Sequence, residues 1–224
     1  MNIKEKGQKT KDEVIESAIR LFNMNGYNGT SVRAIATEAG VNVALVSYYF
    51  GGKKGLLEYL MSSFLEGYIH HLEQAITETE LPAAGINERL LKIADKLIRY
   101  QQEYFYLARF VHREMTLDSV LIRELMSTYL MKEKYMFEKV FEAGIETGQI
   151  KNMPIDLLVM QFRDMIIMPF LQPQYIRKVY YMQPKDDYFR RSYLTFIDHW
   201  TKQILVEQHR GQIVKYPRLK AEAT

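Results

Sequence analysis

Apolar side chains recur at intervals of three and four along almost the whole of this 224-residue chain, and only six prolines and twelve glycines interrupt them. An α-helix turns once in about 3.6 residues, so this spacing stacks apolar residues on one helical side. The fold class expected is all-α. A first helix is expected over 11–25, where Val14, Ile15, Ala18, Leu21 and Phe22 share a face ahead of Gly26 and Gly29. Short helices are expected at 31–38 and 43–50, separated by Gly40-Val41 and closed by Gly51-Gly52. A long helix should run from Lys53 toward Thr79. Beyond Pro82 and Gly85 the pattern predicts helices at 86–102, 104–115, 118–147, 155–171 and 187–208, with a short one near 174–181.

What the chain lacks removes several chemistries. With no cysteine there is no disulfide, thiolate zinc site, iron–sulfur cluster or cysteine nucleophile. His70 and His71 are adjacent and so point apart on a helix, while His112, His199 and His209 are scattered, so no metal site or cofactor is expected. Gly51-Gly52-Lys53-Lys54 lacks the spacing of a phosphate-binding loop, and there is no nucleophile elbow or acid/base pair. The chain does not read as an enzyme. Its most apolar stretch, 157–171, is broken by Arg163 and Asp164, and the first residues carry no apolar signal segment. A cytoplasmic protein is expected.

Residues 30–60, TSVRAIATEAGVNVALVSYYFGGKKGLLEYL, hold the sharpest signal. Thr30 or Ser31 can cap a helix whose Val32, Ile35 and Ala36 face inward. Ala39 is small where two helices must approach, and Gly40 can take the positive φ of a tight turn. Asn42 can cap the next helix, which buries Leu45, Val46 and Phe50. This is the pattern of a helix-turn-helix, whose second helix enters the major groove of DNA. Base edges are then assigned to Asn42, Val43 and Ala44, with Ser47, Tyr48 and Tyr49 along the polar side. Tyr48, Lys53, Ser31 and Arg33 are assigned to phosphates, and Lys9 and Lys11 are expected to reach the backbone or minor groove from an N-terminal arm.

The order of Thr30, Ile35-Ala36, Ala39-Gly40-Val41, Tyr48, Phe50, Lys53 and Leu56 resembles the TetR/AcrR family of bacterial regulators over about 9–60. The resemblance implies a helix-turn-helix domain at 9–53, a helical regulatory and dimerisation domain at 54–209, and a homodimer on palindromic double-stranded DNA. Residues 210–224 read as a loose tail. The stretches 109–137 and 168–184 are further similar to the branch of that family that regulates the division protein FtsZ. That likeness implies binding near the chromosome origin, hence at the nucleoid, and inhibition of FtsZ ring assembly during sporulation. Regulators of this family also bind small apolar effectors in their C-terminal bodies, the alternative kept open here.

Two surfaces follow. Arg109, Arg113, Arg123 and Glu124 are expected to form a charged face for a protein partner, with FtsZ the partner suspected. Leu158, Phe162, Phe189, Tyr193, Phe196 and Trp200 are expected at the dimer interface, although periodicity alone cannot tell an intrachain from an interchain face. The charge supports the nucleic-acid reading: residues 1–54 hold eight Lys/Arg against five Asp/Glu, so the chain's whole surplus of +3 lies there.

Overall fold

A computed structural model of the chain describes residues 3–79 and 85–206. The expected tail at 210–224 and His209 lie outside the described residues. Among the described residues eleven α-helices follow one another: α1 Ile3–Asn25, α2 Val32–Glu38, α3 Val43–Phe50, α4 Lys53–Glu78, α5 Ile86–Glu103, α6 Phe105–Glu114, α7 Val120–Leu125, α8 Met131–Glu146, α9 Ile155–Leu171, α10 Pro173–Val179 and α11 Asp187–Ile204. The all-α expectation holds. Two boundaries differ from expectation. Helix α1 starts eight residues earlier, at Ile3, so Lys9 and Lys11 sit within a helix and not on an extended arm. The single helix expected over 118–147 is α7 and α8 joined through a π-helical turn at Met126–Leu130.

The helices pack as two compact units: residues up to Gly67 with Tyr104–Met126, and Tyr68–Glu103 with the described residues from Ser127 onward. This division differs from the expected cut at 53/54. In the first unit α1 packs on α2 and α6, and α2 on α3. Val14, Ala18, Phe22, Ile35, Val46, Leu56 and Phe110 are all fully buried there. Phe22 and Phe110 stack with centroids 5.1 Å apart, and the Arg113 guanidinium donates to the Phe22 carbonyl at 2.9 Å. Asn23 Nδ2 donates to the Tyr106 carbonyl at 2.8 Å. Each buried phenylalanine contributes about 1.5–3 kcal/mol of transfer free energy, so this stack outweighs the exposed ion pairs around it.

In the second unit α11 packs on α5, and α9 on α5, α8 and α10. Its centre is aromatic. Phe162 meets Phe137 edge-on at 5.6 Å and Phe141 at 5.7 Å, and lies nearly parallel to Trp200 at 6.2 Å. A Cβ on Gly144 would fall 2.6 Å from Ile150 Cδ1, so that glycine lets the chain after α8 close tightly on the helix. Ile150 and Leu205 form an isolated antiparallel bridge there. No helix among the described residues is long and apolar enough to cross a membrane.

This core corrects the expected dimer surface. Phe162 is fully buried and Leu158 and Phe189 nearly so, because the subunit's own aromatic centre consumes them. Tyr193 and Trp200 are half-buried, the first with its hydroxyl on the Met165 carbonyl at 2.8 Å. Of the six, Phe196 alone is exposed.

Candidate nucleic-acid interface

The turn between α2 and α3 is fixed by its backbone. Ser31 stands in extended geometry before α2 and accepts from the Ala34 N–H at 3.1 Å. Thr30 is buried instead and donates back to the Gly26 carbonyl at 2.8 Å, which ties down the loop after α1. At the far end of α2 the Val41 N–H bonds the Ala36 carbonyl at 2.9 Å and the Gly40 N–H bonds Thr37 at 3.1 Å. These two bonds make a Schellman closure, whose left-handed residue is Gly40 at φ +65°. A side chain at position 40 would have to adopt a conformation that L residues disfavour.

Helix α3 opens with Asn42, whose Oδ1 accepts from the Ala44 N–H at 2.8 Å. The cap engages one lone pair of the oxygen and leaves both amide N–H groups unused by it, so Asn42 can still donate to a base edge. Val46 and Phe50 are buried, whereas Asn42, Val43, Ala44, Ser47 and Tyr48 are exposed, Tyr48 by 79%. At about 100° per residue, positions 43, 44, 47 and 48 fall on one side of the helix. The result is an outward face of one valine, one alanine, one small hydroxyl and one large phenol. Such a face suits close approach to a groove floor, with the valine and alanine methyls matched to thymine methyls.

Tyr49 does not belong to that face. It is half-buried, edge-on to Tyr48 and Phe50, with its hydroxyl against Gly7 of α1. The aromatic run 48–50 thus divides one ring outward and two toward the core, a split that identical residue types conceal in the sequence.

The cations divide in the same way. Lys11 is half-buried, its Nζ 4.4 Å from the Tyr59 ring centre and 5.7 Å from that of Phe50, so it stabilises the unit instead of reaching outward. Lys9 is exposed beside Glu13 at 4.0 Å. Lys53 opens α4 with its Nζ 4.2 Å above the Tyr27 ring, a seat that limits its rotamers. Arg33 and Lys54 are exposed. The Tyr27 seat escaped the sequence reading; its one signal is an aromatic residue between Gly26 and Gly29.

The expected partner face does not assemble as one surface. Arg113 is held by the Phe22 carbonyl and by Glu114, and it lies 5.7 Å from the Phe110 ring centre. That arginine is spent inside the first unit. Arg109 is half-buried, while Arg123 and Glu124 are exposed on α7, Arg123 paired with Asp118.

Comparison with known proteins bears on this geometry. Residues 14–60 match the sequence signature described as "Bacterial regulatory proteins, tetR family". The Bacillus subtilis (strain 168) protein named "Probable HTH-type transcriptional regulator YttP" is 47% identical over 195 residues, 87% of this chain and 93% of that protein. Among solved structures, the TetR-family regulator PfmR of Thermus thermophilus superposes with a TM-score of 0.68 at 20% identity, over 83% of this chain and 97% of that one. FadR of Bacillus subtilis, solved in complex with stearoyl-CoA, superposes with a TM-score of 0.63 at 20% identity, over 84% and 97%.

Proposed function

The chain belongs to the tetR family of bacterial regulatory proteins, and on that premise we propose that it is a homodimeric repressor whose hold on DNA is set by a small effector. It is a transcriptional regulator and not an enzyme. The observation that carries the DNA-binding assignment is the single outward face of α3, capped by Asn42 and ended by Gly51 in the left-handed conformation. On this reading Val43, Ala44, Ser47 and the Asn42 amide read base edges. Tyr48, Arg33, Lys53 and the capped start of α2 at Ser31 meet phosphates.

The effector is assigned to the second unit, and a ligand with an acyl chain is the class to try first. FadR, the fold relative solved with stearoyl-CoA, supports that choice. So does a polar group set inside the aromatic core. Glu133 is 1% exposed and accepts from Arg163 Nε at 2.7 Å, with the buried Tyr68 side chain close enough to act on it electrostatically. A buried ion pair of this kind rarely adds stability over an apolar replacement, so its presence favours a role in recognising a polar ligand head.

The dimer is assigned to the outer faces of α9 and α11. Leu157, Met160 and Met168 remain exposed along α9, and Tyr188 and Phe196 along α11, after the subunit has filled its own core. These replace the buried residues first expected there.

A second reading makes the output a contact with FtsZ near the chromosome origin during sporulation. It rests on the likeness of 109–137 and 168–184 and on the exposure of Arg123 and Glu124. The two readings separate in one experiment. Duplexes selected from a random pool by the full-length protein are challenged with palmitoyl-CoA and stearoyl-CoA, and separately the DNA-bound protein is added to polymerising FtsZ. Release of DNA by the acyl-CoA supports the repressor. Unchanged DNA binding with shortened FtsZ polymers supports the division role.

A further inference from the structure

Helix α10 and the residues after it carry a surface that DNA binding, effector binding and dimerisation leave unused. Tyr175, Val179, Tyr180 and Tyr181 are each between 46% and 70% exposed, and Arg177 and Lys178 are exposed between them. Tyr175 and Tyr180 stand edge to face with centroids 5.4 Å apart and hydroxyls 3.3 Å apart, so two flexible rings form one wall. Tyr181 is the one non-glycine residue with a positive φ, +55°, among the described residues, and it is the most exposed ring of the set. A tyrosine in that conformation is disfavoured, and such outliers concentrate where a side chain must be presented.

The patch is also one-signed. Residues 165–185 contain no Asp or Glu; Asp186 and Asp187 follow at the start of α11, and Asp187 is taken up by Arg190 and Arg191. Arg177 itself is steadied by a neutral group, donating to Gln174 Oε1 at 2.7 Å.

We infer that this face is a docking surface for an acidic polypeptide segment of a partner protein. Exposed tyrosines flanking arginine are the composition of interface hot spots, and the two cations complement a carboxylate-bearing chain. A protein fits better than a nucleic acid. Tyr175 and Tyr180 pack against each other instead of offering separate flat platforms on which successive bases could stack.

The test uses the full chain and fluorescein-labelled poly(Glu,Tyr), read by anisotropy, with a labelled oligo-dT and poly-Lys beside it. Saturable, salt-sensitive binding of the acidic copolymer is expected. The double variant Arg177→Glu/Lys178→Glu should weaken it at least about tenfold, with helicity unchanged because both side chains are exposed. Tyr181→Gly relieves the backbone at φ +55° and so keeps the fold, yet should weaken copolymer binding as well. Equal binding by these variants, or no saturable copolymer binding at all, overturns the proposal. So does tighter binding of oligo-dT that the same variants abolish, or a change in subunit mass on sedimentation in place of a change in copolymer affinity.

Discussion

The Tyr193 hydroxyl donates to the Met165 carbonyl at 2.8 Å, and Met165 is the residue whose carbonyl Pro169 cannot serve. Proline has no N–H, so within α9 the carbonyl four residues earlier loses its helical donor. A side chain from α11 supplies it. Burial around this hydroxyl pushes its ionisation up to about 12, so it stays a donor throughout the physiological range.

Tyr193→Phe removes that donor while keeping the ring stack on Phe189 at 5.2 Å. A loss of about 1–2 kcal/mol in urea unfolding is expected, with unchanged sedimentation mass. A variant as stable as the parent but monomeric would return Tyr193 to the dimer surface.

Glu133 tests the buried polar group. Burial, only partly offset by Arg163 and by the Tyr68 hydroxyl, raises its pKa above the ordinary 4.5. The folded state therefore holds this proton more tightly than the unfolded chain. The stability this confers is fully present below pH 4.5 and is lost as pH rises through the folded value. Glu133→Gln abolishes the titration, so the parent should lose stability relative to the variant between pH 4.5 and neutrality. Urea midpoints of both proteins across that window check this, and a constant gap would contradict it.

The chain alone makes the local features of the α2–α3 turn readable. The turn at Gly40, the caps at Ser31 and Asn42, and the inward Val46 and Phe50 are local matters, set by spacing and backbone preference within a few residues. They were legible. The placing of α6 with the first unit was not, because it depends on Phe110 meeting Phe22 and on Arg113 reaching a carbonyl 91 residues away. Phe162 and Phe196 are both aromatic residues at helical spacing, and only the packed core distinguishes the buried ring from the exposed one. Likewise Lys11 and Lys9 differ only in whether Tyr59 lies beneath them.

Lys53 sits over the Tyr27 ring, and the role proposed for it is a phosphate contact, which carries no sequence information. Lys53→Ala should weaken binding to specific and random duplexes by similar factors and lower the slope of log affinity against log salt by about one. Tyr27→Leu should weaken binding less, since the cation remains but loses its seat. An unchanged salt slope in Lys53→Ala would remove that role.

The outer face of α9 and α11 is tested by Met160→Glu combined with Phe196→Glu. Both side chains are exposed in the subunit, 59% and 49%, so the fold should survive. Sedimentation should then fall toward the 26.4 kDa of one chain, and affinity for a palindromic duplex should drop as both half-sites can no longer be held together. A dimer of undiminished stability would place the interface elsewhere.

The central claim is that the outward face of α3 reads DNA. Full-length protein is used to select duplexes from a random pool, and the selected sequence is then titrated with the parent and with Ser47→Glu/Tyr48→Ala. The account predicts enrichment of a palindrome, a loss of binding of about a hundredfold or more in the variant, and unchanged helicity. No enriched sequence, or equal binding of the selected duplex by parent and variant, would contradict it.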